Sequence, residues 1–294
     1  MTRRAEKGRQ MIATQGAARR RRELIDGVYM LGFSVLSLIF LVPVVVLIVT
    51  GLRSEPDFLQ HGVFSIPTGI RVANLTDAWT IGDFSTTYRN SALITLVKVP
   101  LGLLISALAA YPLAKMRYPL RDTFFTFFVV GLAVPVQLAL LPIFILDRHL
   151  GLLGTLWAVL PPYVAFGIPF QVFVLRGFMR LIPGELMEAA RVDGANEVTI
   201  FVRVMLPLIT PALATLCIID ATATWNEFMV ALVMLPSQAI HTIPLGLLNY
   251  FNEYTGSYTL LSAGIAIVVA PLLLVYIFLQ RFLVSGLVGG AVKT

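Results

Sequence analysis

The sequence predicts an all-α integral membrane protein with six transmembrane helices and both termini on the cytoplasmic side. Three observations carry this. Of 294 residues, 57 % are hydrophobic and only 13 % are charged, about half the share usual in soluble domains. So few charges cannot coat a water-soluble globule of this length. Five stretches (27–51, 91–114, 123–146, 151–175 and 254–280) are interrupted only by Lys98; each has the ~20 apolar residues that cross a bilayer core. A sixth, 207–233, is apolar but contains Asp220 and Glu227. Finally, the basic residues fall on alternate sides of these stretches, which sets orientation.

Taken in order, residues 1–25 form a basic cytoplasmic tail with Arg3, Arg4, Lys7, Arg9 and Arg19 to Arg22. No aromatic residues interleave with them, which argues against nucleic acid and for the anionic face of membrane lipid or for orientation alone. Residues 26–285 form the transmembrane domain. Its first stretch is too long for a signal-peptide core and lacks a small-x-small cleavage site. A bulky outer segment, 52–88, follows; its Asn74-Leu75-Thr76 sequon is a three-residue match that carries no weight. Lys98, near the outer end of the second span, reads as a snorkelling side chain. Residues 228–252 read as the end of helix five plus a loop, because Pro236, Ser237, Gln238, His241, Pro244 and Asn249 interrupt them. The tail 286–294 is kept thin by Gly286, Gly289 and Gly290. With the N-terminus inside, seventeen Lys and Arg lie on the inner side, against Arg53, Arg71, Arg89 and Arg148 outside. Eleven prolines within or beside the spans free backbone groups that neighbouring helices or a wet path must satisfy.

The chemistry of an enzyme is absent. No lysine follows a glycine, so there is no phosphate-cradling GxxxxGK[ST] loop. His61, His149 and His241 are far apart and Cys217 is the single cysteine, which leaves no metal set and no disulfide scaffold. No GxSxG marks a hydrolase elbow. We expect no catalytic residue, no cofactor and no metal on this chain.

The informative segment is the inner loop 176–205. Arg176, Arg180, Arg191 and Arg203 balance Glu185, Glu188, Asp193 and Glu197, so the loop is a poor lipid stripe and a good protein-docking surface. Pro183 can open a short helix, with Glu185 and Glu188 near its positive end. Ala189 and Ala190 keep the surface small, and Gly194 turns the chain. A second helix is expected from Asn196 or Glu197 to Pro207.

Glu188-Ala189-Ala190, three residues, Gly194, nine residues, Val204, one residue and Leu206-Pro207 resemble the EAA loop of binding-protein-dependent ABC importer permeases. Val204 stands where isoleucine is usual. Tyr88-Arg89-Asn90-Ser91, Ala110-Tyr111-Pro112-Leu113-Ala114, Leu175-Arg176-Gly177-Phe178, Trp225-Asn226-Glu227-Phe228 and the stretch from Gln280-Arg281-Phe282 to Gly290-Ala291-Val292-Lys293 look like the carbohydrate subgroup. Within it, the chain is similar to the maltose-type six-helix partner from about Asn74 onward. The resemblance implies a type I ABC importer permease in the bacterial inner membrane, moving a di- or oligosaccharide. It further implies a second related permease, two ATPase subunits that bind ATP and Mg, and an extracytoplasmic sugar-binding protein. The coupling loop would be carried by Glu185, Glu188, Ala189, Ala190, Asp193, Gly194, Leu206 and Pro207.

Asp220 and Glu227 lie seven apart and are expected to share a helix face. Ionisable groups inside a membrane are functional candidates. With Trp225 and Asn226 they line the path or set its gate, or else they make polar contacts with the sister permease or with Lys98. A proton-coupled secondary transporter using Asp220 and Glu227 is the alternative reading.

Overall fold

The computed structural model describes the backbone of residues 2–251 and 256–291, and the side chains of 26–251, 256–274, 276 and 277. The side chains of the basic tail 1–25 and of the tail 286–294 lie outside those described. Among the described residues every regular element is helical. Helix α1 (Thr2–Gly51) is followed by two short helices, α2 (Glu55–His61) and α3 (Ala73–Ile81), and by the long α4 (Phe84–Lys115). Helices α5 (Arg121–Gly131) and α6 (Val136–His149) lead, through a 3-10 turn at Leu156–Val159, to α7 (Leu160–Leu181). Then come α8 (Glu185–Val192), α9 (Glu197–Ile200), a π-helical turn Phe201–Met205, α10 (Leu206–Leu208) and α11 (Thr210–Trp225). The chain closes with α12 (Met229–Met234), α13 (Ile243–Gly246) and α14 (Tyr258–Ala291).

Among the described residues, three continuous stretches are long and apolar enough to cross a membrane: Asp26–Gly51, Phe84–Lys115 and Leu156–Leu181. Where straight third and fifth spans were expected, the structure has bent pairs, so up to five spans arise there by length and composition, beside the shorter apolar stretch Tyr258–Leu274. α5 and α6 meet at 97°. Pro135 cannot donate to the Gly131 carbonyl and drives Val134 out of the helical region; Val134 N–H takes that carbonyl instead, at 3.3 Å. α9 to α10 meets α11 at 72°, because Pro211 cannot bond the Pro207 carbonyl and fits only in the first turn of a new helix. Helix five therefore ends at Trp225, well before residue 233, and short helices fill the 228–252 region.

The centre of the molecule is α4. Its contact with α7 is the most extensive between any two elements, and α11 packs against both. Val99, Leu103, Ala107, Ala110 and Tyr111 of α4 share one core with Val172, Leu175 and Met179 of α7 and with Ala212 and Leu216 of α11. Met187 of α8, Ile200 of α9 and Met205 belong to that same core. Arg176 is buried at its edge; it donates to the Leu113 carbonyl at 3.1 Å and to Asp122 at 3.2 Å, and its guanidinium lies 3.6 Å from the Phe125 ring centroid. Toward the other end of the bundle, Ile94, Tyr163, Val230 and Met234 form a second core. α1 packs against α14.

The segment between α1 and α4 is built around Arg53, which is fully buried. Arg53 Nε donates to Asp57 Oδ2 at 2.8 Å, while its other nitrogens reach the Gly62 carbonyl at 2.9 Å and Ser65 Oγ at 2.7 Å. Thr68 donates to the second Asp57 oxygen at 2.8 Å. The hydrogen bond from Arg53, then that from Thr68, holds the Asp57 carboxyl down to about 2. Glu55 accepts the Tyr258 and Thr259 N–H groups at 3.1 and 3.0 Å and the Ser257 hydroxyl at 2.6 Å. Burial pushes the Glu55 carboxyl up, but these donors together outweigh it and hold it below its ordinary value. Glu55 thus supplies α14 with the first-turn acceptor that every helix needs. The sequon asparagine, Asn74, is buried and donates to the carbonyls of Gly51 and Arg53 at 3.0 and 2.6 Å, closing the end of α1.

A depressed Asp57 pKa means that the knot's contribution is complete above the unfolded carboxyl value of ~3.9 and fades as pH falls toward the folded one. Amide exchange in residues 52–68, corrected for its intrinsic pH dependence, should be unchanged from pH 7 to 5 and rise between about pH 4 and 2. Asp57→Asn should show the raised exchange already at pH 7, and wild-type protection in that variant would refute the knot's role.

Candidate functional site

α8 and α9 form a rigid pair stapled at the turn. The Ala195 N–H reaches back to the Ala190 carbonyl at 2.9 Å and the Gly194 N–H to the Arg191 carbonyl at 3.0 Å, the double closure of a Schellman motif. Gly194 has φ +82° with open space around it, so glycine is required for the backbone angle and not for room. Asn196 caps α9, its Oδ1 accepting the Thr199 N–H at 2.8 Å. Pro183 lies one residue ahead of the Gly184 cap, just outside the helix it was expected to open.

The loop is fixed to the bundle at three points. Met187 is buried in the main core. Tyr111 of α4 donates to Glu197 at 2.7 Å, and Arg191 pairs with the other Glu197 oxygen at 2.9 Å. Lys115, the last residue of α4, donates to the Ile182 carbonyl. Away from these anchors, Glu185, Glu188, Ala189, Asp193 and Pro207 are exposed, while Ala190 and Leu206 are half-buried against the core. Two apolar side chains stand almost free, Val192 at 88 % and Val198 at 72 % exposure. A small, acidic face carrying free apolar groups is suited to burial against another protein.

A second constellation lies between α4, α7 and α11. Lys98, near the middle of α4, is buried and its ammonium donates to Asp220 of α11. Lys98 therefore does not snorkel: an intramembrane carboxylate within reach holds it inside the bundle. Gln171 Oε1 accepts the Ser106 hydroxyl at 2.7 Å. Gly167 makes this arrangement fit. A Cβ there would lie 3.2 Å from the Lys98 ammonium, 3.4 Å from Gln171 Nε2 and 3.5 Å from Asp220. Glu227 stands nearby but on a different element. α11 stops at Trp225, where Asn226 caps it by donating to the Thr222 carbonyl at 2.9 Å. Glu227 then accepts the Val230 and Ala231 N–H groups at 2.8 and 3.1 Å, opening α12, and the Tyr163 hydroxyl at 2.6 Å.

Asp220 and Glu227 thus share no helix face, yet both line one cavity of about 190 Å³ with Lys98, Tyr163 and Gly167. Trp225 and Asn226 lie off it: the Trp225 ring packs edge-on against Tyr88, with centroids 5.9 Å apart, and the Asn226 side chain is exposed. Sequence reasoning missed Tyr163, Gly167 and Gln171. An intramembrane glutamine one helical turn after a glycine was a usable signal; a tyrosine in an apolar run was not.

Residues 102–288 match the family described as binding-protein-dependent transport system inner membrane component. The arabinooligosaccharides transport system permease protein AraQ of Halalkalibacterium halodurans is 34 % identical over 266 residues, 90 % of this chain and 95 % of that one. The diacetylchitobiose uptake system permease protein NgcG of Streptomyces coelicolor is 33 % identical over 247 residues, 83 % and 82 % of the two chains. A chain in the crystal structure of a bacterial ABC transporter importing the acidic polysaccharide alginate superposes with a TM-score of 0.75 at 26 % identity, over 88 % of this chain and 96 % of that one. The chain belongs to this family of inner-membrane permeases.

Removing one member of a buried ion pair strands the other charge, at about 3–5 kcal/mol, while replacing both with apolar groups is far milder. Lys98→Met or Asp220→Leu alone should sharply lower the yield and thermal midpoint of the detergent-purified protein, and the double variant should recover most of the loss. Single variants as stable as the wild type would argue against a paired Lys98.

Proposed function

We propose that this member of the binding-protein-dependent inner membrane component family is the permease subunit of an ATP-driven importer of di- or oligosaccharides. The observation that carries the proposal is the α8–α9 loop, whose exposed face is small and acidic, with Glu185, Glu188 and Asp193, and whose other face belongs to the core of α4, α7 and α11. Two partner ATPases that bind ATP and Mg push on that exposed face, through Glu185, Glu188, Ala189, Asp193 and Gly194. Because Met187, Tyr111 and Lys115 tie the loop to the bundle, the push reaches the spans without being absorbed by a slack linker. Leu206 and Pro207 pass it into the bend ahead of α11. This chain supplies half of the path, a second related permease the other half, and an external sugar-binding protein delivers cargo; relatives named for arabinooligosaccharide and diacetylchitobiose transport support a saccharide.

We read the chain as multi-pass in the bacterial cytoplasmic membrane, with six crossings counted by taking each bent pair and α14 as one. Both termini then face inward, as the seventeen-to-four excess of inner basic residues requires. Of the four path or gate candidates, Asp220 and Glu227 keep a place at the path through their common cavity; Trp225 and Asn226 shape the end of α11. Proton relay by Asp220 and Glu227 is disfavoured, since Asp220 is committed to Lys98 and Glu227 to a helix start.

Tagged chain extracted in mild detergent should bring down a P-loop ATPase and a second permease. Gly194→Val, which forces a branched side chain into a left-handed backbone, should cut the recovered ATPase at least ten-fold while the second permease stays. Uptake should follow ATP and ignore collapse of the proton gradient. A chain that purifies alone, or uptake that dies with the gradient, would overturn this reading.

A further inference from the structure

The polar chamber between α4, α7, α11 and α12 has hydrogen-bonding capacity left unspent. Among the described residues, Asp220 Oδ2 and Gln171 Nε2 are buried with no partner. The Lys98 ammonium carries three donors, of which Asp220 takes one. The Lys98–Asp220 pair lines the cavity beside Gly167, with Asp220 Oδ2 and two ammonium hydrogens unspent, and Gln171 Nε2 stands behind it. Buried polar groups without partners are rare and call for an occupant. The opposite walls are apolar and aromatic: Phe166, Pro162, Val136, Val230 and the ring of Tyr163. Glu227 is already committed, its Oε2 accepting from Tyr163 and Ala231 and its Oε1 from Val230.

We propose that this chamber is a subsite for a single sugar ring, with a ring hydroxyl seated between Lys98 and Asp220 and a C–H face against Phe166 and Tyr163. A hydroxyl both donates and accepts, so one group satisfies the Asp220 oxygen and one of the spare donors together. The mixture of mostly apolar walls and a few converging polar atoms is that of small-molecule sites in general. At about 190 Å³ the cavity is smaller than the ~300–1,000 Å³ that takes a drug-sized ligand. It accommodates one ring at a time and not a whole oligosaccharide, which suits a station on a path. Gly167 keeps the space beside the pair open, because a Cβ there would lie 3.2 Å from the Lys98 ammonium and crowd it. This assignment rests on the saccharide-importer reading.

Ala223 lines the mouth of the chamber and bears no polar partner, so it gives a handle that leaves the ion pair intact. In a Cys217→Ser background, the full complex with an Ala223→Cys chain is reconstituted with its binding protein and first tested for ATP-driven uptake of arabinotriose, maltotriose and raffinose. The sugar that is carried then serves as the probe. We expect that sugar to slow modification of Cys at 223 by a charged methanethiosulfonate reagent at least five-fold under turnover, and a sugar that is not carried to leave the rate unchanged. We expect the modified complex to lose uptake while the ATPase still responds to loaded binding protein. Uptake that persists after modification, or modification that is indifferent to the carried sugar, would overturn the subsite and leave a water-filled polar seam. Should the unmodified complex carry no saccharide under ATP, the importer reading itself would fall first.

Discussion

Everything in this chain is hung on the seam between α4 and α7. Side chains of both helices close the main core, and polar bonds leave α4 along its length: Lys98 to Asp220 of α11, Ser106 to Gln171 and Leu113 to Arg176 of α7, and Tyr111 to Glu197 of α9. In a bilayer, apolar side chains gain little by leaving lipid for one another, so close packing and interhelical hydrogen bonds must specify the arrangement. α4 provides both along its whole length. It holds the chamber at its middle and the docking loop at its end, which makes those two sites parts of one body.

The apolar helices were legible from hydropathy, and the turn between α8 and α9 from its glycine, because both are local properties of the chain. The bends were only half legible. Pro135 and Pro211 were visible as helix breakers, but a proline tells where a helix yields and not the angle at which neighbours then hold it. Snorkelling was the wrong reading of Lys98 and contact with Asp220, the other one offered, was right; nothing local separates the two, because the partner lies 122 residues away in sequence. The pairing of Asp220 with Glu227 on one face failed for a nearer reason: the cap formed by Asn226 ends α11 one residue before Glu227. What survives is their proximity, carried by the turn into α12 and by Tyr163. The Arg53 knot was hidden for the same reason as Lys98, since an arginine beside the membrane reads as an orientation charge until its acceptors on Asp57, Gly62 and Ser65 are seen.

Glu55, Asn74 and Glu227 show a common solution to a membrane protein's hardest constraint. Each lends a side chain to a helix end that has run out of backbone partners. Glu55 serves α14 from some two hundred residues away, Asn74 serves α1, and Glu227 serves the helix next to it. A carboxylate beside a helix end can therefore serve as a cap. That role separates Glu227, both of whose oxygens accept hydrogen bonds, from Asp220, whose Oδ2 accepts none.

On α8 the residues that face out and those that face in alternate with the helical period: Glu185, Glu188, Ala189 and Val192 belong to the surface, Met187 and Ala190 to the foundation. The two sets answer to different pressures. Outward positions can change with whatever they bind, at no cost to the core, while inward ones are held by packing that exists before any partner arrives. A loop built this way can be re-addressed to a different engine by a handful of surface exchanges, and a transplant that carried only the recognition residues onto a sister scaffold would find the same footing waiting for it.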